Sequence, residues 1–398
     1  MDTQVLISGA SIAGPTLAYW LARRGATVTV VERAPALRGG GHGVDFRGAQ
    51  MELLRRMDLL DAVRARETGM GEQRIVDADG RVRVRMPSAF FSGEVEIGRG
   101  DLAELLYERT AGRVEYVFGD HVTALHQDPE GVDVTFAGGP ARRFDLVVGA
   151  DGLHSGVRAA AFGPEERFRA FLGHYQAGFT MPNELGLDRT GLMYNEPGRG
   201  VTVSSGRDTA VAGVGFVFSS DELTYDRHDG AALTELVRRR YAGAGWETPR
   251  LLRALGGATD LYFDALAQIH LDGWSMDRVV LLGDAAWCAG PGGSGTGLAM
   301  MGAYVLAAEL DAAGDGGHSL AFERYEAVTR KAAAVGQRQA KGAGAFLAPA
   351  TEKAIRQRDR GYRMLSSRIL LPLFNRITAG AANALTLDAY PESVPAVR

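Results

Sequence analysis

Cysteine is nearly missing from this chain: Cys288 is the single one among 398 residues. One thiol excludes an intramolecular disulfide and any zinc or iron–sulfur site built from several cysteines, and it suits a reducing, cytoplasmic setting. Long apolar runs are missing too, since no stretch reaches the roughly 20 residues that a membrane-spanning helix needs. The opening residues, MDTQVLISGA, do not pass from a basic region to an apolar run and a cleavage site, so no secretory leader is expected. Nor is one sign of charge in excess. Lys and Arg number 44 against 48 Asp and Glu, and the net charge of -4 offers no general attraction to nucleic acid or anionic lipid. His42, His154, His174 and His270 lack metal-ligand spacing and read as structural, so no metal is expected.

What is plentiful is glycine, 53 residues, and its placement carries the argument. The chain exceeds the roughly 250–300 residues that one hydrophobic core supports, so two co-folded domains, or one domain with a large insertion, are expected. Residues 5–8 form a short apolar strand, a glycine turn follows, residues 15–24 look helical, and the β-branched run 27–31 is a second strand. Strand, turn, helix, strand is a βαβ unit, and its lack of polar alternation fits a parallel sheet covered on both faces. Further strands are expected over 114–118, 122–126, 132–136 and 145–148, with a helix beginning at Asp101 and capped by that side chain. From about Arg169 to Asp272 the pattern changes to successive antiparallel strands over 171–180, 191–195, 201–205 and 211–218. An apolar strand returns over 279–282, helices follow over 298–310 and 319–336, and residues 352–384 read as helices packed on the body.

The first glycine turn reads Gly9-Ala10-Ser11-Ile12-Ala13-Gly14. It departs from the dinucleotide fingerprint G-x-G-x-x-G only at Ser11, the smallest replacement that carries a Cβ. Gly9 makes the tight turn and Gly14 the close helix–strand contact, with the N–H groups of Ile12 and Ala13 among those that face phosphates at the helix start. Eighteen residues beyond Gly14, Glu32 ends the second strand where an acid accepts ribose hydroxyls, with Arg33 beside it. A second segment runs Asp145-Leu-Val-Val-Gly149-Ala-Asp151-Gly152-Leu-His-Ser155-Gly-Val-Arg158. A third runs Val279-Val-Leu-Leu-Gly283-Asp284-Ala-Ala-Trp287-Cys288-Ala-Gly290-Pro291-Gly-Gly-Ser-Gly295-Thr296-Gly297 into a helix. Five glycines among its last eight residues leave backbone N–H groups free, beside a helix dipole, to stabilise an anion such as a reduced flavin.

Together the three segments resemble the class A flavoprotein monooxygenases, the family typified by para-hydroxybenzoate hydroxylase and including the tetracycline-inactivating monooxygenases, to which this chain is closest in size. The resemblance implies an α/β fold: a Rossmann-like FAD-binding domain of the GR2 type interrupted by a substrate-binding β-sheet domain, with C-terminal helices. The corresponding division is 1–168 plus 273–345, then 169–272 with parts of 70–100, then 346–398. It also implies non-covalently bound FAD, reduced by transient NADPH or NADH, and a flavin C4a-hydroperoxide that passes one oxygen atom of O2 to a small electron-rich aromatic or polyketide-like substrate. Gly283-Asp284 is expected at ribityl or ribose hydroxyls, Asp151, Gly152 and Arg158 at FAD and nicotinamide, Arg99 at the FAD phosphates, and Pro291 with Gly295-Thr296-Gly297 at the flavin. Two positions depart from the family pattern, Trp287 for the usual histidine and Ala299 for an asparagine, so proton handling is not carried over to them.

Such chemistry needs a closed apolar cavity, because water releases hydrogen peroxide unproductively. Phe179, Met193, Phe216 and Pro291 are the expected substrate pocket, with Phe171, Tyr175, Met181, Tyr194 and Phe218 as further walls or ordinary core. Arg47, just past the flexible loop Gly39–Gly43, is the candidate that faces flavin or nicotinamide, with a solvated surface arginine as the alternative. A reductase or dehydrogenase of the same fold, or a non-catalytic flavin sensor, fits the same motifs. A halogenase does not, because its Trp-x-Trp-x-Ile-Pro segment is absent. Hydroxylation, epoxidation and Baeyer–Villiger insertion all stay open, as does the choice between monomer and homodimer.

Overall fold

The computed structural model describes residues 3–90, 93–292, 295–366 and 383–390. Strand Gln4–Ser8, helix Ala13–Arg23 and strand Thr27–Glu32 follow one another as the apolar pattern demands, and Val5, Leu6, Ile7, Val30 and Val31 are all buried. The sheet they begin grows to six strands in the spatial order Ser275–Met276, Val279–Leu281, Leu146–Gly149, Gln4–Ser8, Thr27–Glu32, Glu115–Phe118. Neighbours are parallel except for Ser275–Met276. Crossovers therefore bring three strand ends far apart in sequence, Ser8, Gly149 and Leu281, side by side on the carboxyl edge where open α/β sheets take their ligands.

Helix Ala13–Arg23 packs on helix Gly295–Ala313, with the Trp20 and Tyr304 rings 4.6 Å apart, and helix His318–Ala340 lies behind. A three-stranded antiparallel sheet, Val122–Asp128, Gly131–Phe136 and Arg142–Phe144, leads into Leu146–Gly149.

The second large sheet has seven strands in the order Tyr262–Ile269, Arg169–Pro182, Val211–Ser219, Arg199–Ser205, Thr190–Glu196, Gln73–Val76, Val82–Met86. It is antiparallel apart from the pairing of Thr190–Glu196 with Gln73–Val76. One face packs Tyr175, Phe179, Phe216 and Phe218 against helices Gly230–Arg240 and Thr248–Leu255.

Some expectations are corrected. The helix expected from Asp101 spans Arg99–Thr110 with Gly98 as its N-cap; Asp101 lies in its first turn and makes no capping bond. Strands Gly43–Phe46 and Tyr262–Ile269 and helix Thr248–Leu255 were not legible in the pattern. Helix Glu352–Leu365 begins the expected tail, while residues 367–382 of that expectation lie outside the described residues. The segment 383–390 returns to the body: Asn383 Oδ1 accepts from Ala49 N at 3.3 Å, serving the start of helix Ala49–Arg56, whose own cap residue is Gly48. Arg56 donates to the Tyr304 hydroxyl at 3.0 Å and the Tyr390 carbonyl at 2.6 Å. No helix among the described residues is long and apolar enough to cross a membrane.

Candidate functional site

Contacts that only glycine permits join the three segments. Gly9 has φ +110°, and a Cβ there would lie 2.4 Å from the Ala150 carbonyl oxygen of the second segment. At Gly14 a Cβ would lie 1.9 Å from the Gly9 carbonyl oxygen. Gly283 of the third segment, with φ +65°, packs between Ala13 and Ala299. Around this knot Ile12 and Ala13 are buried and Ser11 is exposed, so the residue that departs from the fingerprint faces outward from the turn. Glu32 fixes the same turn: its carboxylate accepts from Ala10 N and Ala34 N, each at 2.9 Å. Arg33 is exposed and reaches towards Gly156 at the head of the second segment's helix.

Asp284 marks the centre. It is exposed on one side, yet burial pushes its carboxyl above the usual range, against Cys288 and Arg99, which pull it down. Gly295 and the Arg99 charge lie beside it, and this space is the candidate cleft. Arg99, His42 and Tyr262 surround the same space. The Arg99 charge acts on Asp284, on Tyr262 and on His42, and the His42 and Tyr262 rings meet edge-on at 6.1 Å. His42 and Tyr262 share the double character, exposed residues whose titration is dominated by burial. The loop Gly39–Gly43 reaches the cleft by lying across the start of the Arg99–Thr110 helix, with Gly100 N donating to Gly40 O at 3.0 Å. Gly295 lies beside Asp284, and Gly297 packs so tightly on Gln50 that a Cβ would come within 2.3 Å of its side chain. Thr296 and Pro291 are half-buried at this mouth, while Gly293 and Ser294 lie outside the described residues.

Several expected contacts are placed differently. Arg158 is fully buried and donates to the carbonyls of Ala285 at 3.0 Å and Leu153 at 2.5 Å and to Glu165 at 3.0 Å, so its guanidinium ties the second segment to the third. Asp151 is engaged likewise: it accepts from Ser155 Oγ, from Val157 N at 3.1 Å and from Ser8 Oγ at 3.3 Å, which sets the start of helix Gly156–Phe162. Gly152, with φ +82° and open space beside it, makes the turn. Arg47 is paired with Asp45 at 2.5 Å, and its backbone N–H donates to Gln50 at 3.3 Å, beside the Gly297 contact.

The largest correction concerns the substrate pocket. Phe179 and Phe216 lie in the core under the two helices, with the Phe216 and Tyr241 rings 4.7 Å apart and tilted at 60°. Side chains alternate along a strand, so the other face carries their neighbours. There the cross-strand row runs Tyr262, Gly178, Gly215, Thr202, Met193. The next row runs Asp264, Gln176, Val217, Gly200, Asn195. Met193 is on this face but buried beneath Phe346 and Tyr362, and Gly200 is roofed by the Leu347 carbonyl. Between them Gln176, Gly178, Gly215 and Thr202 remain partly open. Tyr262, at the end of the row, meets the His42 ring edge-on. This glycine-floored sheet face, beside the glycine-walled cleft, is the candidate site. Gln176, Thr202 and Tyr262 on this face were not legible as candidates, because polar residues and glycines at period two read as the outer side of a strand.

Comparison with known proteins gives the family. Residues 2–339 match the family model described as FAD binding domain. An uncharacterized Mycobacterium tuberculosis protein, Rv1260, is 44% identical over 81% of this chain and 88% of its own length. A flavin-dependent monooxygenase of Legionella longbeachae is 35% identical over 83% of this chain and 85% of its own. Among solved structures, tetracycline destructase Tet(55) superposes with a TM-score of 0.83 at 32% identity, covering 97% of this chain and 98% of that one.

Proposed function

Since this chain belongs to the FAD-binding-domain family of flavin-dependent monooxygenases, we propose that it holds FAD in the cleft over Asp284 and oxygenates a small electron-rich aromatic or polyketide-like molecule lying on the open sheet face. The observation that carries this reading is the close glycine contact of the three segments, Gly9 on Ala150, Gly283 between Ala13 and Ala299, and Gly295 beside the Asp284 carboxyl. A carboxylate there is suited to accept hydroxyls of a ribityl or ribose chain, and the glycine contacts leave room for a ligand to approach the backbone closely. The Gly9–Gly14 turn and the start of helix Ala13–Arg23 would take the pyrophosphate with Arg99, and Glu32 the adenosine ribose. Segment Gly295–Gly297, at the start of a 19-residue helix, would lie by the flavin ring and favour negative charge there.

The bound FAD, reduced by NADH or NADPH, would supply the activation of O2 and the transfer of one oxygen atom. The chain's own part is positional. Gly178 and Gly215 leave space for a flat ring against the sheet, and Gln176, Thr202 and Tyr262 offer hydrogen bonds to its substituents. Strand Tyr262–Ile269 and loop Gly39–Gly43 close the sides against water. Arg158, enclosed as it is, keeps the second and third segments in register.

The test is reconstitution of purified protein with FAD, followed by a screen of tetracycline, urate and simple phenols. Substrate-dependent NADH or NADPH oxidation with oxygen uptake and a product heavier by one oxygen atom is expected. Protein that stays colourless after incubation with FAD would end the proposal.

A further inference from the structure

His154, two residues past Gly152, stands between carboxylates from two parts of the fold. Its Nδ1 is 3.0 Å from both oxygens of Glu165, in the turn Glu165–Arg167, and its Nε2 is 3.1 Å from Oδ2 of Asp264, in strand Tyr262–Ile269. A neutral imidazole has one N–H and one lone pair, so it could serve one carboxylate only and would turn its lone pair on the other. The arrangement calls for the imidazolium, with both nitrogens donating. Burial pushes the ring towards neutrality, but Asp264 and Glu165 outweigh it and lift its pKa to about 9.

The other charged or titratable groups nearby support the same state. Arg158 at 3.0 Å and Arg169 at 3.7 Å pair with Glu165, and together with His154 they hold its carboxyl below the usual range despite burial. The hydroxyls of Tyr225 and Tyr262 each lie 3.4 Å from Asp264. Asp264 itself is only 8% exposed, and a buried carboxylate is strongly disfavoured without a cation beside it.

Asp264 has a second connection. It lies on the open face of the sheet, directly across from Gln176 and two residues from Tyr262, whose ring meets His42 of the glycine loop. The geometry points to His154 as a positioning residue: as an imidazolium it pins the edge strand of the seven-stranded sheet to the turn after Asp151-Gly152, and so holds the open face, through Tyr262 and Gln176, in register with the cofactor cleft. This rests on the reading of the cleft as the flavin site. His154 touches no substrate; it acts through Asp264. When it loses its proton, a lone pair faces a carboxylate and the strand is released.

The experiment compares FAD-loaded wild type, H154Q, D264N and the double variant between pH 6 and 10, by thermal unfolding and by visible circular dichroism of the bound flavin. Because the folded pKa lies above the ordinary 6.5, the clamp stabilises fully below pH 6.5 and its contribution is lost as pH rises through about 9. Wild type should therefore melt above H154Q at pH 7, with the gap closing by pH 10. Its flavin dichroism should move through the same interval to match that of H154Q, which should not change. The double variant should melt no lower than the worse single variant. H154K, which keeps a charge, should recover part of the loss and keeps the test available if H154Q does not fold. A gap independent of pH, additive losses, or identical flavin spectra at pH 7 would overturn the inference. If no FAD binds at all, the function proposed above fails, whereas the unfolding profile of the cofactor-free chain still decides the clamp.

Discussion

One substitution made at two places tests the logic of the glycine knot. Gly14 and Gly361 both lie inside helices, Ala13–Arg23 and Glu352–Leu365, where alanine is intrinsically better than glycine by ~0.5–1 kcal/mol. At Gly361 a Cβ meets nothing within 4 Å, so Gly361→Ala should realise that gain. At Gly14 the Cβ would fall 1.9 Å from the Gly9 carbonyl oxygen, where real Cβ atoms come no closer than 3.0 Å, a shortfall of 3.0 − 1.9 = 1.1 Å. Nothing there yields easily. The obstacle is backbone, held by Gly9 N donating to Val31 O at 2.7 Å and by a φ of +110°. Overpacking of this kind costs ~1–3 kcal/mol; its upper end, less the helical gain of ~1 kcal/mol, leaves Gly14→Ala destabilised by about 2 kcal/mol. Because the moved atoms belong to the turn proposed for the pyrophosphate, FAD affinity should fall as well. Urea unfolding of the cofactor-free chain gives the stability change, and titration followed by flavin fluorescence gives the affinity. Equal signs for the two alanines, or a Gly14→Ala variant that binds FAD as tightly as wild type, would refute the reasoning.

Asp284→Asn should leave the cofactor-free chain as stable or more so, since it removes a charge that burial disfavours, while FAD retention after gel filtration falls sharply. Gly178→Val places its Cβ an ordinary 3.4 Å from the Val214 carbonyl, so it should fold and bind FAD normally yet raise the KM of whichever substrate the screen identifies at least about tenfold by filling the open face. Phe216→Ala, by contrast, should cost ~3–5 kcal/mol in urea unfolding with little change in substrate preference, because its ring lies in the core under the helices. Gly41→Pro demands a φ near −65° where the loop has +97°, against Arg99. It should slow flavin reduction by NAD(P)H in stopped-flow traces at full FAD occupancy, and an unchanged rate would count against a moving loop.

The N-terminal unit and the three glycine segments were legible because their signals are local: a strand with no polar alternation, a turn that only glycine can make, an acid a set distance on. The open sheet face was not. Aromatic type marks Phe179 and Phe216 but does not show which side of the sheet they leave. One residue of register separates the core from the open face, and the helices that claim the aromatic side include Thr248–Leu255, which the pattern did not reveal. Strand Tyr262–Ile269 hid for a related reason. Asp264 and Gln268 interrupt its apolar run, and both are buried with partners far away in sequence, Asp264 on His154 and Gln268 on the carbonyls of Ala289 and Gln337. Motif position singles out Arg158 and Asp151, but their partners within the protein are visible only in the distances.

The interleaved order of the parallel sheet governs how the chain can be made. Strand Gln4–Ser8 needs Leu146–Gly149 on one flank, and that strand in turn needs Val279–Leu281. On a ribosome the first strand waits unpaired on that flank until well over a hundred residues have emerged, and the Asp284 floor is completed only later. Contacts so distant along the chain make for slow folding and transiently bare strand edges. Expression at low temperature, or alongside chaperones and ample riboflavin, should raise the yield of folded protein more than any change to its surface.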